Sequence, residues 1–289
     1  MTRIHRAIPS RPAASTLAPT AWRVRFISGT DSPAGRVIRR FTEPAPAVAV
    51  AEVVQLSDLP GSPVWPEPAD ELLVVHIPNP SASAEIGPAW IVPGENPDAT
   101  LPVELPLKDG RLLWRPGRVI IEGKVRSIDE VLAGIAEFAF YEGQLRKLES
   151  AIVPIEAGAA ADVTHVYVVG AEGKANRERF RQTIERLATL RLTAARVEPR
   201  LYLRPRALPL AAQNIVRRLC SRADTEARLE SMSDRLEACE DLYEGAVDRI
   251  TDHRWYRKGM WVEIAIVILL FMEVLQLAAT MIFHGVPGR

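Results

Sequence analysis

Cysteine is nearly absent: the 289 residues hold two, Cys220 and Cys239. Two thiols in a stretch of helical pattern, without metal-ligand company, exclude a disulfide framework and suit a reducing compartment. Histidine is scarce as well. His5, His76, His165, His253 and His284 stand far apart, none at the i, i+4 spacing of a helical metal site, so no metal ligand is assigned. Net charge is also missing, because 36 basic residues balance 36 acidic ones; the chain as a whole gives no electrostatic reason to bind nucleic acid. No nucleophile elbow occurs. Gly170-Ala171-Glu172-Gly173-Lys174 imitates a phosphate loop, but it has two residues between its glycines where four are needed, and Ala175 where a metal-binding hydroxyl belongs. A turn is expected there. His165 alternates with Thr164 and Tyr167 in a strand-like pattern and reads as structural. No catalytic or cofactor-binding residue is assigned, and the expected class is not an enzyme.

Acid is lacking at the start, where residues 1 to 30 carry Arg3, Arg6, Arg11, Arg23 and Arg25. Pro9, Pro12 and Pro19 would interrupt the amphipathic helix of an organelle-targeting segment, and no apolar core of a secretory signal is present. Proline then runs out halfway: eighteen of the 23 fall at or before Pro116. The first half must be strands and turns. Candidate strands are Trp22 to Ser28, Glu71 to Ile77, Ala89 to Val92, a hairpin from Leu101 to Trp114 turning at Asp109-Gly110, and Arg118 to Val125. Helix takes over at the capping box Ser127-Ile128-Asp129-Glu130, and an amphipathic pattern runs from there to Pro154. Val163 to Val169 reads as a short strand, Asn176 to Arg196 as a second helix and Leu201 to Leu203 as a further strand.

Long apolar runs are absent with one exception. Met260 to Phe283 is interrupted only by Glu263, Glu273, Gln276 and Thr280, and as a helix it would span about 36 Å, enough for a hydrocarbon core of about 30 Å. It reads as a transmembrane helix. The flanking residues Arg254, Trp255, Arg257, Lys258 and Trp261, with Glu263 at the interface, place the preceding chain on the cytoplasmic side by the positive-inside rule and the aromatic belt. About six residues are expected beyond it.

The expected architecture is thus a mixed α+β soluble domain, a helical coiled-coil stalk and one C-terminal transmembrane helix. By residue it comprises a Pro-rich region with short strands over 1–67, a mixed α/β domain over 68–206, a stalk over 209–258, the span over 260–283 and a tail over 284–289. In the stalk, Leu229, Leu236, Tyr243 and Ile250 occupy one heptad position and Met232, Cys239, Ala246 and His253 the other, the 3-4 spacing of a coiled coil. Two partners suit that seam. It can pair copies in parallel, because all would enter one membrane from one side, or it can pack on the helix from Leu210 to Leu219.

The stretch Arg235-Leu236, Asp241-Leu242, His253-Arg254, Arg257, Glu263, Ile264 to Leu270 and Glu273 resembles the end of the required-for-meiotic-nuclear-division (sporulation-type, domain-of-unknown-function) membrane proteins, over about fifty residues. Those ends pair a short coil with an apolar anchor carrying two glutamates ten residues apart. The resemblance implies an inner-membrane protein that forms large homo-oligomers and, in mitochondria, faces the matrix and supports organellar translation.

Glu273 carries weight of its own, because a carboxylate at mid-bilayer costs a few kcal/mol on insertion scales unless it is paired or protonated. Gln276 and Thr280 share its face and Ala279 is small enough for close approach, so the stripe is expected to serve helix association, with copies of itself or with a second membrane protein. The other charge feature is Lys174 to Arg222, thirteen basic residues against three glutamates. Arg177, Arg181, Arg200, Arg204, Arg206, Arg217 and Arg218 are the candidates there for an anionic partner, whether RNA, a ribosomal surface or anionic lipid. The bland alternative is a solvated face balanced by the ten carboxylates between Asp224 and Asp252. Function reads as a membrane-anchored oligomeric scaffold or tether. An accessory subunit docking through Glu273 and an enzyme hidden in the α/β domain are the competing classes.

Overall fold

The computed structural model describes residues 18–28, 35–59, 70–79, 90–91, 102–164, 171–203 and 205–284, with side chains except at 171–175, 254, 257 and 277–284. The chain divides into two compact units, Met1–Leu148 with Thr193–Ser231, and Glu149–Leu192 with Met232–Arg289.

The first unit is built on a seven-stranded sheet. Its strands are β1 (Thr20–Ser28), β2 (Arg36–Phe41), β3 (Ala47–Val54), β4 (Glu71–Ile77), β5 (Val103–Leu107), β6 (Gly110–Arg115) and β7 (Arg118–Gly123), in the order β2-β3-β1-β4-β7-β6-β5. All neighbours are antiparallel except β4 and β7, whose parallel register pairs Val74 with Val119 and His76 with Ile121. That central pair is apolar at almost every position and buried on both faces, which is the burial expected of parallel strands. On one face Ala21, Leu73, Val75, Ile77 and Ile120 gather around Trp90 and Ile91. Two buried arginines hold that segment: Arg118 donates to the Trp90 carbonyl at 2.9 Å and stacks on its ring, and Arg115 donates to the Ile91 carbonyl. Trp90 and Ile91 form a turn, not the strand expected over Ala89 to Val92, whose ends lie outside the described residues. β1 pairs with both β3 and β4, so the sheet runs across the compositional boundary at 67/68.

The opposite face meets the helix α1 (Ile128–Asp162). The Ser127 hydroxyl accepts from the Glu130 N–H and caps its start. Phe41 stacks on Phe140 with ring centroids 3.9 Å apart, Phe26 closes on the same ring, and Trp114 meets Phe138 edge-on. Ion pairs fasten the helix to β2, Arg36 to Asp129 and Arg39 to the buried Glu137 at 2.6 Å. Glu142, also buried, takes Arg146 and Arg228 at once. Burial still pushes its carboxyl above the usual range, against both guanidinium groups. At Gly134 an added Cβ would meet the Ala212 backbone at 2.9 Å, so glycine there lets α3 (Leu210–Arg222) approach α1 closely.

Three helix ends differ from expectation. α1 continues through Pro154 to Asp162: proline removes one hydrogen bond there but does not stop the helix. α2 is longer than Asn176 to Arg196, running Ala171–Tyr202 through Pro199; Leu201 and Tyr202 are its last turn, not a strand. Ala171 to Lys174 belong to its first turn. Val163 and Thr164 form a turn, and the rest of the strand expected to Val169 lies outside the described residues. Between α3 and α4 only Ala223 and Asp224 intervene. Asp224 turns the chain at φ 52° and its carbonyl accepts the Arg228 N–H to open α4.

The second unit is helical. It contains the end of α1, the beginning of α2 and most of α4 (Thr225–His284), a single helix of 60 residues in which the heptad part of the expected stalk is continuous with the expected span, while α3 is a separate helix.

Candidate functional site

The features singled out from the sequence converge on α4. Its seam forms because apolar residues recur every three or four positions, and the structure shows what covers them. Leu229, Met232, Leu236, Cys239, Tyr243, Ala246 and Ile250 are all buried within the one chain. In the second unit the cover is α1 and α2. The Tyr243 ring lies 5.4 Å from that of Phe180, and its hydroxyl donates to Asp162 at 3.2 Å. Asp162 also accepts from Arg179 at 2.6 Å. Arg235 grips Glu156 with both nitrogens, and Arg191 pairs with Glu240. The partner of Arg235 thus belongs to its own chain.

Electrostatics follow from this packing. Burial beside the Asp162 carboxylate pushes the Tyr243 phenol up to about 12, so it stays a neutral donor. The Arg235 guanidinium holds Glu156 below the usual range. Cys220 is buried in the first unit and pushed up to about 11, an inert thiol beside Thr225; Cys239 is also raised by burial.

Past Thr251 the environment of α4 changes. Trp255 is 70% exposed, Trp261 63% exposed, and every residue from Trp255 to Gln276 whose side chain is described is exposed. This stretch is long and apolar enough to cross a membrane. Lys258 extends over the Trp255 ring at 5.7 Å, and Glu263 is exposed two residues beyond Trp261. Arg254 and Arg257 belong to the helix, but their side chains lie outside the described residues. Glu273 is exposed on the apolar stretch without a partner among the described residues, and Gln276 follows one turn on. Ala279 and Thr280 are helical, with side chains outside the description.

The arginine candidates are divided between the two units. Arg177 and Arg181 are in the second unit, while Arg200, Arg206, Arg217 and Arg218 are in the first and Arg204 is outside the described residues. Two are already engaged: Arg181 pairs with Glu178 and Glu185, and Arg200 with Glu43 at 2.8 Å. His76 is structural, its Nε2 3.0 Å from the Gly123 carbonyl; His165 lies outside the described residues. Among the described residues no three His, Cys, Asp or Glu side chains are grouped to hold a metal.

Two features were not read as sites from the sequence. A groove of about 880 Å³ opens between α1 and α2 of the second unit, lined by Pro154, Gly158 and Ala161 on one side and Arg179, Gln182 and Arg186 on the other, with Tyr243 reaching it beside Gly158. The second is a column of exposed carboxylates on α4, Asp234, Glu237, Asp241, Glu244, Asp248 and Asp252, without ion pairs among the described residues. Their three- and four-residue spacing could have been read from the sequence as one helix face.

No family model matches the chain, and no curated protein matches it significantly.

Proposed function

We propose that this protein is a non-enzymatic, membrane-anchored scaffold or tether, holding its α+β domain at the cytoplasmic face of an inner membrane. The observation that carries the reading is the continuity of α4: the residues packed against α1 and α2 and the exposed apolar stretch are one helix without a break. An anchor joined in this way positions the packed helices above the bilayer, instead of trailing them on a flexible linker. The basic and aromatic residues Arg254, Trp255, Arg257, Lys258 and Trp261 support a cytoplasmic N-terminal side. The polar clusters support a structural role, since Glu137, Glu142, Glu156 and Asp162 are each engaged by an arginine. Assembly with other chains falls to surfaces that the seam leaves free, because the seam is buried in the chain. Contacts with RNA, ribosomes or anionic lipid would rest on exposed arginines such as Arg217 and Arg206.

The test is carbonate extraction of membranes, with protease access to an N-terminal tag in vesicles of known sidedness. Retention in the pellet with the tag on the cytoplasmic side is expected; release by carbonate would sink the anchored reading. Light scattering of the detergent-extracted complex, with mass spectrometry, then gives its composition. A second reading, an accessory subunit of a larger membrane complex, is favoured by Glu273, whose position within the apolar stretch calls for a partner.

A further inference from the structure

The acidic column and Glu273 occupy one side of α4. Glu244 and Asp248 stand roughly eight and seven turns before Glu273, each aligned with it to within about 20° at about 100° per residue. Tyr243, on the buried seam, is turned away from Glu273 by about 120° on the same count. One face of α4 is therefore committed inside the chain, and another presents six carboxylates, unpaired among the described residues, ahead of the apolar stretch and in line with a carboxylate within it.

We propose that this face docks a different membrane protein, one presenting a helix with a column of Lys and Arg on the cytoplasmic side and a hydrogen-bond donor in its membrane span at the depth of Glu273. The inference rests on the anchored reading and deepens its accessory-subunit form. Charge decides the occupant. Copies sharing one membrane run parallel, so pairing through this face would set six carboxylates against six over about 27 Å of helix, and like charges held in register repel. A basic helix reverses that sign. Its donor also offsets the cost of Glu273 in hydrocarbon, which a second glutamate at the same depth does only if protonated. The apolar residues on the same side as Glu273, Leu269 and Leu270 one turn before it and Ile266 two turns before it, would supply ordinary contact with that span.

The experiment places the full chain, donor-labelled, in phosphatidylcholine liposomes with acceptor-labelled synthetic transmembrane peptides. One peptide carries six lysines at three- and four-residue spacing before a leucine-rich span with one central asparagine; the control carries glutamates in place of the lysines. The basic peptide is expected to bind at least about tenfold more tightly at low salt, losing most of that advantage in about 0.5 M salt. Glu244→Lys with Asp248→Lys, which leaves four carboxylates against two lysines, should shrink the preference for the basic peptide, and Glu273→Leu should weaken both peptides alike, while carbonate resistance stays unchanged in every variant. Equal binding of the two peptides overturns the proposal. So does energy transfer between differently labelled copies of the wild-type chain as efficient as transfer to the basic peptide, which would make a second copy the occupant. Loss of carbonate resistance in the wild type would instead remove the anchored reading itself, before any peptide is added.

Discussion

The two stretches of α4 are both rich in apolar residues, yet they meet different fates. Between Leu229 and Ile250 the apolar residues keep to one side, and all seven of the seam are buried against the chain's own helices. From Met260 to Gln276 they surround the helix, and every side chain is exposed. A stripe with a polar back belongs at a protein interface that keeps water on its other side; a helix apolar all round needs protein or lipid everywhere. The arrangement of the residues, more than their number, separates the two.

Substitutions that exchange these environments should break the comparison, and the largest effect is expected in the seam. Ala246→Glu forces a carboxylate into a fully buried site and should cost about 4 kcal/mol or more. Urea unfolding in mild detergent would show it, with the carbonate-resistant fraction unchanged because insertion does not need the seam. Phe180→Ala empties the space beside the Tyr243 ring and should cost about 3 to 4 kcal/mol in the same assay. The reciprocal change, Ile266→Asp, leaves the seam intact but adds about 3 kcal/mol to insertion. It should lower the carbonate-resistant fraction without altering the urea midpoint of whatever remains inserted; an equal loss at both readouts would mean that the two stretches are not independent.

A smaller effect sharpens the comparison through pH. Tyr243 is raised from the ordinary 10.0 to about 12 in the folded chain, so between those values the unfolded state gives up a proton that the folded state keeps. Its contribution to stability is complete below pH 10 and is lost as pH rises toward 12. Tyr243→Phe should flatten that alkaline limb and cost about 1 kcal/mol at neutral pH for the lost hydrogen bond to Asp162. Tyr141, raised similarly to about 12, should keep part of the limb in place. A limb identical to the wild type's would show that Tyr243 ionises as freely folded as unfolded.

Much of the local structure was legible. The capping residue Ser127, the hairpin turning near Asp109-Gly110 and the strand Glu71–Ile77 all stand where their residues suggest, because turn chemistry, caps and period-two apolar runs are local signals. Strands β2 and β3 were not read individually. β2 carries three arginines in six residues, and two of them are paired to α1, a compensation invisible from the strand itself. Pro154 misled in the same way: a proline lowers the local preference for helix, but packing at neighbouring residues such as Ile152 outweighs it, as packing at Val197 does beside Pro199 in α2. Of the candidate site, the seam, the flanking residues and Glu273 were named from spacing alone. What the seam packs on was not, since a heptad specifies an apolar stripe and says nothing about which helix covers it.

The sequence by itself determined that α4 would be helical, apolar on one side and then apolar all round, because residue order along a helix sets its faces at about 100° per residue. Only the tertiary structure decided that α1 and α2 cover the first of those stretches, that arginines on β2, α2 and α4 answer the carboxylates of α1, and that six carboxylates on α4 have no ion-pair partner among the described residues. Periodicity is a property of neighbours along the chain. Pairing is a competition among residues far apart in it, and it is settled by which surfaces the fold brings together.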